Sequence, residues 1–428
     1  MSEFDQKPAD RTALPAAQQP DWPDPVALRW VRGRLAQLPP LVAPQDVDRL
    51  HGRLADVARG EAFLLQGGDC AEMFDRATPE AVHSTAETLL RMASGLERAT
   101  GVPVVTVARM AGQYAKPRSQ PTQTCGDVCL PVYRGDAVNG LAFTEEDRTP
   151  DPHRLLRAYT ASQTTLRLLD SYLRSTAPAA RRELFVSHEG LLLDYERPLT
   201  RLDARAAGRR YAASGHLLWA GERTRDIGGA HIDHLSRIAN PVAVKIGPSA
   251  EPADLVALTR VLDPDGIPGR LTFIVRVGAR AVRRILPRLV EAVAATGAPV
   301  AWVCDPMHGN TYTAPSGHKT RHFDDIHDEI VGFFEVHRAL GTHAGGVHLE
   351  MTGTTVTECV GGGSGSARGA AVASADLATR YESACDPRLN RDQSLETGRL
   401  IAGLLADRGR GVPVLDGEPV QPVVPVPA

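Results

Sequence analysis

The sequence predicts a (β/α)₈ barrel preceded by two helices, and three observations favour this fold. Eight short apolar runs with strand composition recur along the chain. The runs are continuous rather than alternating, which is typical of parallel strands covered on both faces. Helical patterns such as VRRILPRLVEAVAAT and DDIHDEIVGFFEVHRAL lie between them. Eight such units indicate a closed barrel, and an open doubly wound sheet is the structural alternative.

The eight predicted strands span most of the chain, in an order that leaves room for one helix after each. They are AFLLQ (62–66), VPVVTVA (102–108), ELFVS (183–187), HLLWA (216–220), PVAVKIG (241–247), RLTFIVR (270–276), PVAWVC (299–304) and GGVHLE (345–350). The barrel domain is therefore predicted to occupy residues 61–410.

The two ends of the chain are expected to lie outside the barrel. Residues 1–25 are rich in proline and indicate an extended arm, whereas residues 26–60 show apolar spacings of three and four, typical of two helices. The Pro/Val-rich residues 411–428 cannot continue a helix and are expected to form a flexible tail. Within the barrel domain, the Gly/Ser-rich residues 361–369 indicate a flexible loop to which the pattern assigns no role.

Composition narrows the class of function. The chain has 428 residues and a net charge of −3, and it lacks a basic block, so a nucleic acid is not an expected partner. It contains no apolar run of about 18 to 20 residues, the length that a membrane helix needs, and no signal-peptide pattern in its first residues. We therefore expect a cytoplasmic protein with a small-molecule ligand. Six scattered cysteines are too few for a disulfide scaffold of this size.

Ionisable side chains and a thiol stand at the ends of the predicted strands, where the active sites of barrels lie. In chain order they are Cys70, Arg109, His188 with Glu189, Glu222 with Arg223, Lys245, Arg276, Asp305 with His308, and Glu350. This mixture of chemical types divides into a group of cations and a group of metal-ligand types.

The cations indicate a substrate with several negative charges. Of the 48 Lys and Arg residues only four are lysines, so a lysine kept inside a motif is a candidate for a specific role. Guanidinium groups bind phosphate or carboxylate with two hydrogen bonds, and lysine supplies a point charge. Eight cations lie on strand ends or the adjacent loops: Arg109, Lys116, Arg118, Arg223, Lys245, Arg276, Lys319 and Arg321. For Arg321 a solvated surface position is an equal alternative.

A mixed set of ligand types suits a divalent transition metal such as Mn, Fe, Co or Zn. The set comprises Cys70, His308, Glu350 and Asp386. These residues are far apart in the chain, so spacing alone leaves open a buried structural cysteine and a core histidine. The sequence contains no HExxH or CxxC pair, and Cys125 and Cys129 have no second pair to complete a zinc site.

Twelve segments together resemble the class II, or plant-type, 3-deoxy-D-arabino-heptulosonate 7-phosphate (DAHP) synthases. The similarity runs from about Pro15 to about Asp407. The segments are FLLQGGDCAEMF, ARMAGQYAKPRS, LPVYRGDAVNG, SHEGLLLDYE, WAGERTR, NPVAVKIGP, PGRLTFIVRVGA, CDPMHGNT, KTRHFDDI, GTHAGGVHLEMTG, TECVGG and RYESACDPRLN. The resemblance implies a metal-dependent (β/α)₈ transferase that condenses phosphoenolpyruvate with D-erythrose 4-phosphate and water, giving DAHP and phosphate at the entry to the shikimate pathway.

The resemblance also implies roles for individual residues. It places the metal ligands at Cys70, His308, Glu350 and Asp386, and the phosphoenolpyruvate contacts at Arg109, Glu222, Arg223, Lys245 and Arg276. It places the aldose phosphate contacts at Arg118, Ser119 and Lys319. Glu222, Lys245 and Lys116 form the implied catalytic set, with Lys116 close to the substrate carboxylate and with Glu222 or Lys245 activating the water. Mn²⁺ is the expected ion, and Co²⁺, Fe²⁺ and Zn²⁺ are alternatives.

Departures from the long members of the family concern regulation. An N-terminal extension and an extra helical pair between the second and third barrel units, which serve aromatic amino-acid sensing, have no evident counterpart here. We therefore expect a short form that is insensitive to Phe, Tyr and Trp and feeds secondary metabolism. We also expect a homo-oligomer of two or more chains. The alternatives are an aminoDAHP synthase, which uses an imino or amino aldose phosphate, and an inactive regulatory or scaffold subunit.

Overall fold

The computed structural model describes residues 14–176, 183–203, 208–363 and 371–407. Most of the predicted arm, most of the predicted Gly/Ser loop at 361–369 and the whole predicted tail at 411–428 lie outside the described residues. The division of the chain into domains stays a prediction.

Eight parallel strands form a closed barrel, which confirms the predicted fold class. Each strand pairs with its neighbours in the chain, and the first strand pairs with the eighth in a register that sets Leu64 beside Gly346 and Gly68 beside Glu350. Because this pairing closes the ring, the open-sheet alternative is wrong. In chain order the strands are Phe63–Gly68, Val104–Arg109, Phe185–Glu189, Leu217–Ala220, Val242–Ile246, Leu271–Val275, Ala301–Cys304 and Gly346–Glu350. All eight coincide with the predicted runs.

Helices surround the barrel and precede it. They are α1 (Pro25–Gln37), α2 (Pro44–Ala58), α3 (Pro79–Thr100), α4 (Glu145–Arg148), α5 (Arg154–Thr176), α6 (Leu193–Leu199), α7 (Ala230–Ser236), α8 (Pro252–Leu262), α9 (Ala279–Ala294), α10 (Phe323–Ala339) and α11 (Arg391–Ala406). Two 3₁₀ segments, Phe74–Arg76 and Ser374–Thr379, complete the helical structure of the described residues. No helix in this part of the chain is both long and apolar enough to cross a bilayer.

The amino end of the barrel is closed by α2. Its buried leucines, Leu50 and Leu54, belong to the same apolar cluster as Leu64, Leu217 and Ile274 of the barrel strands. The helix lies so close to the turn before the sixth strand that a Cβ atom on Gly269, which has a φ of +85°, would stand 2.5 Å from the backbone of α2. With the amino end filled, the carboxyl ends of the strands remain as the open face of the barrel.

In the described residues, three antiparallel strand pairs lie between the barrel strands. They pair Thr122–Cys125 with Val128–Pro131, Thr200–Asp203 with Arg209–Ala212, and Thr311–Thr313 with Lys319–Arg321. The first follows the second barrel strand and the third follows the seventh, so both arise from the carboxyl end of the barrel. Cys125 and Cys129 lie on the first hairpin as exposed free thiols.

Candidate functional site

A cavity of about 370 Å³ lies at the carboxyl end of the barrel. Of the thirteen residues to which the family resemblance assigns a role, all except Glu350 line it: Cys70, Arg109, Lys116, Arg118, Ser119, Glu222, Arg223, Lys245, Arg276, His308, Lys319 and Asp386. Glu350 is fully buried beside it. A larger cleft of about 690 Å³ lies between α3 and α5 on the outside of the barrel, but none of these residues reaches it. We place the site in the smaller cavity because the chemically distinct groups converge there.

Three of the four predicted metal ligands come together closely. Ligand atoms of Cys70, Glu350 and Asp386 all lie within 4.8 Å of one another. His308 stands at the edge of this group, with its Nε2 atom 3.0 Å from Oε1 of Glu350. The strand ends explain the convergence, since Gly68 and Glu350 are paired residues of adjacent strands and Cys70 follows Gly68 by two positions.

Lys116 donates into this ligand cluster. Its Nζ atom lies 2.5 Å from Sγ of Cys70 and 3.6 Å from Oε1 of Glu350, and it contacts the Asp386 carboxylate. Burial alone would lower the pKa of Lys116, but the surrounding acidic groups outweigh it and raise that pKa well above the usual range. The ammonium group is therefore charged and offsets the acidic cluster.

The carboxylates of the cluster have lowered pKa values, whereas the pKa of the thiol is raised. Burial would raise the pKa of Glu350, but His308, Lys116 and Arg321 outweigh it and hold that pKa well below the usual range. Burial raises the pKa of the Cys70 thiol, and the nearby Lys116 charge does not outweigh it. A further cation, such as a metal ion, is needed to keep a thiolate there. Arg321 does not line the cavity; it is fully buried, and its NH2 group donates to Oε2 of Glu350 over 2.7 Å. The surface alternative for Arg321 is therefore wrong.

Arg109 is fixed at the end of the second strand by four neighbours, the first of which is the Asp69 carbonyl, 3.1 Å from its Nε atom. Its NH1 group lies 2.5 Å from Nε2 of His348, and its NH2 group donates to the Cys70 carbonyl and to Oε1 of Glu350. Burial, followed by the charges of Lys245 and Arg109, holds the pKa of His348 well below the usual range. The neutral imidazole accepts from Arg109, and its Nδ1 atom lies 2.8 Å from Oε1 of Gln66.

Lys245 and His308 share one carboxylate. Lys245 donates to Oδ2 of Asp305 over 2.5 Å, and Nδ1 of His308 lies 2.7 Å from the same oxygen. Burial lowers the pKa of Lys245 to about 8, although Asp305 opposes the shift. The sequence predicts Asp305 only as a strand-end residue, and the structure shows it to be the partner of both groups.

The remaining cations of the cavity are held less tightly. Arg276 donates to the carbonyl of His308 over 3.1 Å, and its Nε atom has no partner among the described residues. Arg223 donates to Oγ of Ser119 over 2.5 Å. Lys319 donates to Oδ1 of Asp386 over 3.0 Å, and the Arg118 guanidinium lies 3.9 Å from Sγ of Cys385.

Glu222 is oriented by its own loop and the next one. One carboxylate oxygen accepts from the backbone N–H of Gly247 over 2.6 Å, and the other accepts from Oγ of Ser249 and lies 3.3 Å from Nε of Arg225. Both oxygens are thus engaged, which fixes the direction of the carboxylate.

Sequence reasoning gave no role to two further residues that line the cavity. The ring of Trp219 lies below Arg109 and Lys245, at 5.4 Å from the Arg109 Cζ atom and 5.9 Å from the Lys245 Nζ atom. Oε1 of Glu189 is buried without a hydrogen-bond partner among the described residues, and burial raises the pKa of this carboxyl. Glu189 was named as a strand-end residue, whereas Trp219 lay inside an apolar run and gave no signal.

Two buried carboxylates support the loops that carry the site. Glu72 accepts from the backbone N–H groups of Ala111, Gly112 and Gln113, a turn in which Ala111 has a φ of +61°. This contact holds the loop between Arg109 and Lys116.

Glu329 on α10 performs the same task on the opposite wall of the barrel. Its carboxylate accepts from the backbone of Val277 and Gly278 and from the side chain of Asn310. It thereby joins the loop after Arg276 to the loop after His308.

Comparison with known proteins agrees with this architecture. The family model for the class-II DAHP synthetase family matches residues 6–182 and 174–402. Phospho-2-dehydro-3-deoxyheptonate aldolase of Streptomyces coelicolor is 50% identical over 440 residues, covering 92% of this chain and 96% of the relative. The corresponding aldolase of Mycolicibacterium smegmatis is 45% identical over 444 residues, covering 92% and 94%.

A solved structure of phospho-2-dehydro-3-deoxyheptonate aldolase from Francisella tularensis has a similar fold. It superposes with a TM-score of 0.54 over 88% of this chain and 96% of that chain, at 13% sequence identity, a level that supports the fold alone. The two relatives each match over 92% of this chain, and the residues matched by the family model include every residue that lines the cavity. The chain therefore belongs to the class-II DAHP synthetase family.

Proposed function

We propose that this protein condenses phosphoenolpyruvate with D-erythrose 4-phosphate and water to give DAHP and inorganic phosphate, in a metal-dependent reaction. The observation that carries the proposal is one cavity in which a thiol, an imidazole and a carboxylate, with the Glu350 carboxylate buried beside them, lie next to seven cations. A ligand cluster beside a polycationic pocket suits a reaction between two phosphorylated substrates at a metal ion. Family membership supports the same reaction.

The four donors fit a divalent transition metal. A soft thiolate with an imidazole and two carboxylates is a ligand set for Mn, Fe, Co or Zn rather than for Mg or Ca. Cys70, His308, Glu350 and Asp386 would hold the ion, and of the candidates we propose Mn²⁺. Asp305 contacts Nδ1 of His308, and Nε2 of the same ring faces Glu350 and the ligand cluster. A metal-binding imidazole needs this arrangement, in which one ring nitrogen is held by a carboxylate and the other faces the ion. When bound, such an ion supplies Lewis-acid polarisation of the aldehyde oxygen.

The phosphoenolpyruvate anion is assigned to the deeper cations. Arg109 and Lys245 are buried over Trp219, and the Nε atom of Arg276 has no hydrogen-bond partner in the part of the chain that the structure describes. A poorly solvated cation gains most from a phosphate or carboxylate partner, because little water has to be displaced from it. We assign Arg223 to the same substrate, since it lines the same cavity.

The aldose phosphate is assigned to the cavity mouth. Lys319 is half-exposed at 48% of its side chain, and Arg118 and Ser119 lie on the loop that faces it. These groups would bind a terminal phosphate and leave the aldehyde directed toward the ligand cluster. Orientation of this kind removes the entropic cost of bringing two reactants together.

Proton movement is assigned to Lys245, and orientation to Glu222. In the overall reaction the C3 carbon of phosphoenolpyruvate bonds to the aldehyde carbon, water adds at C2, and the C2–O bond to phosphate breaks. Lys245 has a pKa of about 8 because it is buried, so it can give and take a proton near neutral pH. Glu222 has both oxygens engaged, which suits a residue that fixes an attacking water. Lys116 would keep the ligand cluster neutral and contact the substrate carboxylate.

The setting of the reaction is also proposed rather than observed. Both substrates are phosphorylated metabolites that are made inside cells, so we propose a cytoplasmic enzyme. We also propose a homo-oligomer of two or more chains and a role in secondary metabolism. Light scattering of the purified protein tests the homo-oligomer, and a single monomeric mass would contradict it.

The test of the reaction is product identity. Purified protein is incubated with phosphoenolpyruvate and a second substrate, either erythrose 4-phosphate or imino-erythrose 4-phosphate. The products are resolved by mass spectrometry. We expect DAHP and one equivalent of phosphate from the aldose. Condensation with the imino analogue alone would establish the aminoDAHP alternative, and no condensation with either would favour a scaffold subunit.

A further inference from the structure

Glu358 lies in the TECVGG segment after the eighth strand, a motif to which the reaction assigns no role. Its side chain is fully buried and accepts five hydrogen bonds. Oε1 accepts from the backbone N–H groups of Glu382 and Ser383 at 3.0 and 2.9 Å and from NH2 of Arg388 at 2.7 Å. Oε2 accepts from the backbone N–H of Arg388 at 2.7 Å and from its Nε at 3.0 Å. All five donors belong to one stretch of seven residues.

That stretch, residues 382–388, carries Asp386. It contains neither helix nor strand, so no backbone ladder sets its shape. Its internal contacts are few, with Oγ of Ser383 donating to the carbonyl of Asp386 over 2.7 Å. The position of Asp386 is therefore set by contacts from outside the stretch. The Glu358 carboxylate supplies five of them, beside the donation from Arg321 to the Pro387 carbonyl and those from Lys116 and Lys319 to Asp386 itself.

Arg388 also contacts the segment that carries Cys70. Its NH1 group donates to Oδ1 of Asp69 over 2.6 Å, and Asp69 precedes Cys70 in the chain. The backbone N–H of Asp386 in turn lies 3.3 Å from Sγ of Cys70. The chain of contacts from Glu358 through Arg388 to Asp69 thus joins the two segments that bear these donors.

We propose that Glu358 is a positioning residue that holds the Cys70 and Asp386 donors at metal-binding separation through Arg388 and Asp69. Groups that orient metal ligands change metal affinity when they are replaced, even though they do not touch the ion. The inference rests on the proposed metal site and extends it to residues about 290 positions apart in the sequence, a relationship that no local pattern reveals.

The test measures Mn²⁺ binding directly, by calorimetric titration of metal-free protein, together with the thermal unfolding temperature. Glu358→Gln presents an amide nitrogen to donors that need an acceptor, and we expect the Kd for Mn²⁺ to rise by about 10- to 100-fold. Asp69→Asn is the milder variant, because Asp69 is partly exposed and only its link to Arg388 is lost. We expect a smaller rise of about tenfold there. The loss of Mn²⁺ binding free energy in the double variant should be smaller than the sum of the losses in the two single variants, because both substitutions break the same series of contacts.

Glu196→Gln is the matched control. Glu196 is an equally buried carboxylate that bridges His188 and Ser214 and does not contact the ligand cluster. We expect it to lower the unfolding temperature while leaving the Kd for Mn²⁺ within twofold of that of the wild-type protein. The inference is overturned if Glu358→Gln and Asp69→Asn bind Mn²⁺ as tightly as the control. If the wild-type protein itself binds no Mn²⁺, the proposed metal site is overturned and the inference with it.

Discussion

Lys245 donates a 2.5 Å hydrogen bond to Oδ2 of Asp305, the same oxygen that lies 2.7 Å from Nδ1 of His308. One carboxylate thereby joins a cation assigned to phosphoenolpyruvate and a residue assigned to the metal. Burial would raise the pKa of Asp305, but His308 and Lys245 outweigh it and hold that pKa well below the usual range. The carboxylate is therefore charged across the working range of pH, and it favours the charged form of Lys245.

The first prediction concerns the pH dependence of phosphoenolpyruvate binding. Burial lowers the pKa of Lys245 to about 8, so its ammonium is present below that pH and lost above it. We expect kcat/KM for phosphoenolpyruvate to fall as the pH rises through about 8. In Asp305→Asn the falling limb should move to lower pH, because Asp305 favours the charged lysine. Lys245→Arg should lower the rate, because arginine cannot transfer a proton near neutral pH, and its residual activity should lack this limb. An unmoved limb in Asp305→Asn would contradict the assignment.

The second prediction concerns the charges that hold phosphoenolpyruvate. Lys245→Ala and Arg276→Ala should each lose a charge-assisted contact of roughly 1.5 to 3 kcal/mol, about tenfold to a hundredfold in kcat/KM. Arg280→Ala removes an exposed arginine four residues further on, at the start of α9, and should leave the kinetics unchanged. Steady-state kinetics with varied phosphoenolpyruvate measure all three. Equal behaviour of Arg276→Ala and Arg280→Ala would remove Arg276 from the site.

The third prediction concerns the thiol ligand. Serine offers a harder and less acidic donor than cysteine, so Cys70→Ser should weaken binding of a transition metal by about tenfold or more and reduce activity in parallel. The fold should be retained, because the replaced atom is nearly isosteric. Cys125→Ser, on the exposed hairpin, is the control. Metal analysis after dialysis and turnover number are the measurements, and wild-type values for both in Cys70→Ser would refute the role.

The fourth prediction concerns the closure of the barrel by α2. Gly269→Ala would place a Cβ atom 2.5 Å from the backbone of His51 and Ala55, at a φ of +85°. We expect a loss of about 2 kcal/mol or more in the free energy of unfolding. Gly266→Ala has a similar positive φ of +62° but meets its nearest atom at 3.9 Å, so it isolates the backbone strain. Thermal unfolding should show a clearly smaller loss for Gly266→Ala, and equal losses would argue against close packing of α2.

The barrel strands were predictable because each is a continuous apolar run, such as PVAVKIG around Lys245, and burial on both faces leaves that pattern in the sequence. The position of α2 was not predictable from the sequence. Its amphipathic pattern predicts a buried face, and Leu50 and Leu54 do occupy one, but the pattern does not say that the barrel interior covers it.

The candidate site was predictable where a residue stands at a strand end or inside a recognisable motif. Supporting residues gave no such signal. Glu329 resembles any carboxylate on a helix, and Trp219 resembles a core aromatic residue, because their partners come from other strands and loops. Contacts between distant segments, such as that of Glu358 with Arg388, follow from the fold rather than from local spacing.

The central claim is that the cavity condenses phosphoenolpyruvate with erythrose 4-phosphate in a metal-dependent reaction. The most direct measurement follows phosphoenolpyruvate consumption by its absorbance, with and without erythrose 4-phosphate, before chelation, after chelation and after Mn²⁺ is restored. We predict consumption only when the aldose phosphate is present, loss of the rate on chelation and its recovery with Mn²⁺. Consumption that is unaffected by chelation, or no consumption in the Mn²⁺-loaded protein with both substrates, would contradict the account.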